Sequence, residues 1–351
     1  MAQFSFFDME NQFEKLREIN DFLFRLNEMI NWDIFISLLD VVRSHERKSN
    51  AGRPPFDVLM MFKILILKNI YNLSDDQVEF QIRDRRTFLM FLGITSADRI
   101  PDSKTIWLFG EQLSQLGLAE KLFQRFNDEL KRQGVLIKGG VAIDGTFVDV
   151  PKQHFTKDDY EQIKKGEKPA SRTIKKSIES QTDFDARYAK KNNETHYGYK
   201  NHVVANVETK YIEGYEVTNA AVHDSVPTLE VLPDEAEKDE NNKDYKQPIY
   251  ADSAYQSEKI DTELKRRGFD LQIIEKGYCN NPLTEEQKAN NKSKSKIRCR
   301  IEHIFGSQKM RMGNEILRTI GIVRAKFQIG MRNLVYNMSR LISINRKSKA
   351  K

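Results

Sequence analysis

The apolar residues of this chain change their spacing at Gly134, and that change limits the fold to a helical part followed by a mixed α/β part. Upstream, Phe13, Leu16, Ile19, Phe22, Leu23 and Leu26 recur mostly at three- and four-residue steps, followed by Ile34, Leu38, Leu39 and Val42. That is the period of one buried helix face. Gly52-Arg53-Pro54-Pro55 interrupts the pattern, since proline stops a helix. Further helices are expected over residues 56–70, 104–116 and 118–133. Another runs from Ser74 to Arg83, where Ser74 stands three residues before Gln77 as in a capping box. Downstream, residues 135–150 are β-rich, 197–207 and 211–222 read as two strands, and 248–251 and 271–274 as short buried ones. Helices are expected at 227–238, shortened by Pro233, and at 258–267. From Thr284 the pattern is helical again, with a basic break at 290–296. The polar stretch 152–194 has little period and is expected to be a long loop. This order predicts a mixed α/β sheet with flanking helices, preceded by an all-helical N-terminal domain. The expected boundaries are 1–135, then 136–345 with a polar insertion at about 152–195, then a basic tail at 346–351.

Charge is distributed unevenly. Residues 288–351 carry 17 Lys and Arg against two acids, Glu302 and Glu315, a local charge of +15 in a chain of net charge +6. The segment also keeps helical apolar spacing at Ile316, Ile320, Val323, Phe327, Leu334 and Met338. A folded basic face of this kind points to a polyanionic partner; the alternative is a solvated surface or tail. The two cysteines, Cys279 and Cys299, argue against a disulfide scaffold or a Cys-rich zinc site. The longest apolar run, near 58–67, is broken by Lys63 and is too short for a bilayer. The first residues show no basic leader followed by an apolar block. A cytoplasmic, nucleoid-associated protein with no membrane partner is therefore expected.

Three acids stand out. Asp144 follows the apolar run Val141-Ala142-Ile143, where an unpaired charge is costly. An Asp-Gly hairpin turn is the competing explanation. Asp252 ends the run Ile249-Tyr250-Ala251, and a cap or loop acid is the alternative there. Glu302 lies on an expected helix whose apolar stripe is Ile297, Ile301, Ile304 and Phe305. Arg298 and Lys309, at offsets of four and seven, share its face. A surface ion-pair ladder would look the same. Two acids at strand ends and one on a basic helix are the set that phosphodiester cleavage by two metal ions needs, with oxygen ligands suited to Mg²⁺ or Mn²⁺. The basic segment would then hold the phosphate backbone. His223-Asp224 reads as a structural exit from a strand, with Asp224 the reserve carboxylate should Asp252 not serve. The stretch from His196 to His202 suits either DNA contact or a half-exposed strand. Helices 56–70 and 74–83 are compatible with a helix-turn-helix or with plain packing, and Arg83, Arg85, Arg86 and Lys104 could meet phosphates.

Several blocks together resemble bacterial insertion-sequence transposases of the DDE type, the IS five group, with a ribonuclease-H-like catalytic core. They are Ile143-Asp144-Gly145-Thr146, Tyr250-Ala251-Asp252-Ser253-Ala254-Tyr255, and Arg298, Glu302 and Lys309 at the spacing of that family's Tyr–Arg–Glu–Lys signature. The signature's tyrosine position is Ser295 here. Gly52-Arg53-Pro54-Pro55-Phe56, Tyr71-Asn72-Leu73-Ser74, Pro101-Asp102-Ser103-Lys104-Thr105, the segment from His196 to His202, and Val222-His223-Asp224-Ser225 are similar as well, so the resemblance runs from about Gly52 to Arg340. It implies that Asp144, Asp252 and Glu302 bind two Mg²⁺ ions, with Mn²⁺ as a substitute. They would cleave double-stranded DNA at the element's terminal inverted repeats and direct the 3′-hydroxyl at target DNA. It also implies that Arg298 and Lys309 contact phosphates. Lys296, Arg300 and Arg311 on the same basic helix are further DNA-binding candidates, and pairing two ends makes a homodimer the expected assembly. The rival functions are a nuclease of the same fold that cuts without joining and a catalytically inactive DNA-binding regulator.

Overall fold

The computed structural model describes residues 14–16, 18–19, 21–43, 53–136, 139–237, 244–255, 257–277, 282–313 and 316–349. Phe13, Gly52, Cys279, Glu315 and the end of the basic tail lie outside the described residues. The chain forms two compact units. One is Met1–Phe126 with Met331–Lys351, and the other is Asn127–Gly330.

The first unit is helical. Its elements are α1 (Phe22–Met29), α2 (Ile36–Leu39), α3 (Val58–Ile70), α4 (Asp75–Asp84), α5 (Arg86–Leu92), α6 (Ser103–Gln115) and the first part of α7 (Leu118–Arg132). Side-chain caps start four of them, Asp21 accepting from the Leu23 amide at the head of α1. Asp57 accepts from the Met60 amide, Asp102 from Thr105, and Ser74 forms the expected capping box with Gln77, each satisfying amides the helix leaves open. Helix α3 is buried almost all round, from Val58 through Leu67, so it is the central helix of this unit. Its Lys63 is buried too. The ammonium donates to Asn27 Oδ1 at 2.8 Å and the Phe91 carbonyl at 3.3 Å. It also lies over the Trp32 ring, a cation–π contact.

The second unit is built on a six-stranded sheet: β1 (Val141–Asp149), β2 (Arg187–Lys191), β3 (Glu194–Asn206), β4 (Ile212–Asn219), β5 (Gln247–Ala251) and β6 (Phe269–Ile273). β1 and β3 are antiparallel in register Val141↔Asn206 to Asp149↔Gly198. β2 and β4 pair antiparallel with successive parts of β3, while β5 joins β1 in parallel and β6 joins β5 in parallel. An antiparallel meander continued by parallel strands is the ribonuclease-H-like mixed sheet expected from the sequence. This unit's helices in chain order are α8 (Lys157–Lys164), α9 (Ala170–Thr173), α10 (Lys176–Gln181), α11 (Thr228–Val231), α12 (Glu258–Arg266), α13 (Glu285–Met312) and the first part of α14 (Ile322–Lys349), whose residues from Met331 belong to the first unit. Two apolar clusters fill this unit. One holds Val141, Ile143, Val204, Ile249, Tyr255, Leu264 and Phe269. The other gathers Val148, Tyr197, Tyr199, Val217, Leu317 and Ile329.

The structure departs from the sequence reading in four places. The polar stretch 152–194 is not a loop but holds α8 to α10 and strand β2. Its order comes from polar contacts that hydrophobic period does not register. Buried Asp183 accepts hydrogen bonds from Tyr199, from the Asp185 and Ala186 amides and from the Gly321 amide. Helix α13 runs unbroken through 290–296, with Lys292 and Lys296 exposed and Lys294 donating to the Ile273 carbonyl at 3.1 Å. The helix expected at 227–238 ends at Val231, two residues before Pro233. The segment from His196 to His202 is not half-exposed. Tyr197, Tyr199 and His202 are fully buried, the two tyrosines within the apolar cluster that holds Leu317 and Ile329.

Candidate active site

Asp144 lies inside the nine-residue strand β1, which removes the hairpin-turn alternative. Ile143 belongs to the buried cluster with Val141 and Ile249. Side chains alternate along a strand, so Asp144 faces the other way, and there Arg298 of α13 meets it at 3.0 Å. The second nitrogen of the same guanidinium donates to Glu302 Oε1 at 2.9 Å, one turn along the helix. Thus α13 brings Arg298 and Glu302 to the middle of β1, seated there by buried Ile301, Ile304 and Phe305.

Asp252 directly follows β5. The β1–β5 register is Val141↔Ile249 and Ala142↔Tyr250, and Asp144 and Asp252 each lie two residues beyond the last of these pairs. Asp252 Oδ1 accepts from the Ser253 amide at 2.6 Å. The short turn Ser253–Tyr255 then carries Tyr255 inward, where it is 2% exposed with an unpartnered hydroxyl. Burial pushes its phenol pKa far up, and the negative charges of Asp144, Asp224 and Asp252 push it further.

Asp224 is the carboxylate that the sequence held only in reserve. Its Oδ1 accepts from Lys200 Nζ at 2.9 Å, and Lys200 also donates to the Val222 carbonyl at 2.7 Å. Gly145 makes room for it, because a Cβ there would stand 3.2 Å from both Asp224 Oδ1 and His202 Nδ1. Burial lowers the His202 pKa to about 4, so the imidazole stays neutral. Burial likewise raises the Asp144 carboxyl. Arg298, the Gly145 amide and Lys191 oppose that rise, and Asp224 adds to it.

The remaining basic candidates separate. Lys296, Lys309 and Arg311 are exposed on α13. Arg300 turns to the β3–β4 connection instead, donating to the Val207 carbonyl at 2.7 Å and to Glu208 at 3.0 Å. In the helical unit Arg85 lies over the Tyr71 and Phe88 rings, and Arg83 pairs with Glu79.

Residues 137–338 match the family described as Transposase DDE domain, and residues 11–112 match the family described as Transposase domain (DUF772). The chain belongs to the DDE transposase family. It is thus a transposase, an enzyme acting on DNA, and transposases of this family generally use divalent metal ions. Among solved structures the chain is similar to the piggyBac transposase synaptic complex with hairpin DNA, seen by cryo-electron microscopy. The identity is 12% and the TM-score 0.45, over 94% of this chain and 76% of that one. No helix among the described residues of this transposase is long and apolar enough to cross a membrane.

The donor set of the transposase fits a hard divalent cation in kind, being carboxylate oxygens with a buried, unpartnered phenol beside them. As they stand, no three His, Cys, Asp or Glu side chains among the described residues are close enough to hold one ion. Arg298 is the shared cation of Asp144 and Glu302 instead. Tyr255, Lys200 and His202 were missed by the sequence reading. Tyr255 was visible in the Asp252 block but carried no role, and the other two sat in a stretch that suited either DNA contact or a half-exposed strand.

Proposed function

We propose that this chain is an insertion-sequence transposase of the IS five group that hydrolyses DNA at the element's ends and transfers the exposed 3′-hydroxyl to target DNA. Asp144, Asp252 and Glu302 would hold two divalent cations, Mg²⁺ or in its place Mn²⁺, with Arg298 giving up its contacts to the carboxylates. Bound in pairs, such ions activate an attacking oxygen and stabilise a departing one. The chain's own residues do the rest. Burial around Asp144 limits the screening of that acid by water. Arg298, once released, and the exposed Lys296, Lys309 and Arg311 grip the phosphates. The helical N-terminal unit binds the terminal inverted repeats, and two copies hold two ends as a homodimer.

The observation that carries this reading is the Arg298 bridge, which draws a strand acid and a helix acid far apart in sequence to one cation. The test is Mg²⁺-dependent cleavage of the DNA flanking the native gene. Wild type should cut, and Glu302→Gln and Asp252→Asn should not. Full cleavage by either variant would remove that residue from the site. Pre-cut ends that are never joined would point to a nuclease, and DNA binding without any cleavage to a regulator.

A further inference from the structure

We propose that the elbow between α9 and α10 is a further DNA-binding surface, with Ile174 and Ile178 as apolar wedges against the bases and Lys175 and Lys176 on the flanking phosphates. This requires only that the chain acts on DNA, whichever acids hold a cation. Ile174 is 75% exposed and Ile178 37%. Apolar residues exposed singly are ordinary, but these two flank a pair of cations. Lys175 and Lys176 are exposed, and neither forms an ion pair among the described residues, whereas Lys164 is paired with Glu161 and Lys168 with Glu179. The nearby Glu179 is thus already matched, and the elbow is both apolar and positive. It is also held in place. Lys175 is extended, with φ −127° and ψ 134°, between two helical segments. Arg172 donates to the His154 carbonyl and lies over the Phe155 ring. Ser171 donates to Asp159 at 2.8 Å, Thr182 to the Ile178 carbonyl at 2.8 Å, and Gln153 to the Gln181 carbonyl at 2.6 Å. A tethered backbone therefore presents the isoleucines to solvent. The insertion leaves the sheet from β1, the strand of Asp144, and returns into β2. Isoleucines that enter a base step beside phosphate-bound lysines unstack it and bend the duplex. The unmatched positive charge selects a polyanion as the occupant.

The test uses the full-length protein and a duplex carrying the DNA that flanks the native gene, labelled at both ends for fluorescence energy transfer. Wild type should bend this duplex. The double variant Lys175→Gln with Lys176→Gln should flatten the plot of log affinity against log salt concentration by about two units, one for each phosphate contact. Ile174→Ala should keep that slope, lower affinity by about tenfold and reduce the bend. All of these side chains are exposed, so unfolding temperatures should stay at the wild-type value. An unchanged salt slope in the lysine variant overturns the assignment. So does a variant carrying both Ile174→Ala and Ile178→Ala that bends DNA as wild type does. Isoleucine variants that alter the oligomeric state in light scattering while binding DNA normally would assign the surface to a second copy of the chain, and that outcome overturns it too. If Lys309→Ala flattens the salt slope and the elbow variants do not, phosphate binding by α13 stands and only the elbow is removed.

Discussion

Arg298 Nη1 lies 3.0 Å from Asp144 Oδ2, joining residues 154 positions apart in sequence. The guanidinium offsets a desolvation that would otherwise favour the protonated acid. If Asp144 holds a divalent cation as proposed, arginine and that cation compete for the same oxygen. Arg298→Met should lower stability in EDTA by about 1–3 kcal/mol, because it leaves a buried carboxylate unpaired. Mg²⁺ should restore more of the unfolding temperature in the variant than in wild type. Identical responses to Mg²⁺ in the two proteins would show that the contact does not overlap a metal site.

The basic residues of α13 should divide by their partners. Lys309 is exposed, whereas Arg300 is tied to Val207 and Glu208. Each phosphate contact removed lowers the salt dependence of DNA binding by about one ion's worth. Lys309→Ala should flatten the plot of log affinity against log salt concentration by about one unit. Arg300→Ala should leave the slope unchanged. A change of slope in Arg300→Ala alone would reverse this division.

The legibility of this molecule follows from what periodicity can register. Strands β1, β5 and β6 and helices α3, α4 and α6 were visible because apolar spacing and caps such as Ser74–Gln77 are local signals. The acids Asp144, Asp252 and Glu302 stood out by their place at the end of an apolar run or on a basic helix. Lys200, His202 and Tyr255 did not, because their meaning is tertiary. Lys200 looks like any strand lysine until the chain returns to Asp224, 24 positions later. The helices of 152–194 were hidden for a similar reason. Asp183, Tyr199 and Gly321 order that stretch, and two of the three lie outside it.

Gly198 should be nearly intolerant of substitution. Its φ is +149°, and a Cβ there would stand 2.5 Å from the Val148 carbonyl oxygen, a backbone atom that cannot rotate away. It sits at the junction where β3 pairs with both β1 and β2. Gly198→Ala should cost about 3 kcal/mol, combining backbone strain with displacement of β1. Denaturant unfolding gives the number. A variant within 0.5 kcal/mol of wild type, the range of roughly neutral surface changes, would mean that the strand pair opens freely there.

The last prediction concerns pH. Glu213 on β4 accepts from Asn206 Nδ2 at 3.0 Å. Its carboxyl is raised to about 7, first by burial, with the nearby negative charge of Glu237 adding to the rise. A raised acid pKa means that the folded state holds the proton more tightly than the unfolded chain does. Stability from this group is therefore complete below the unfolded value near 4.5 and is lost as pH rises through about 7. Glu213→Gln keeps the acceptor for Asn206 and cannot ionise. The variant should match wild type at pH 4 and exceed it at pH 8 by on the order of 1 kcal/mol, allowing for solvent screening. Thermal unfolding across that range checks both limits. A difference that is the same at both ends would mean that the carboxyl ionises as easily inside the fold as in the open chain.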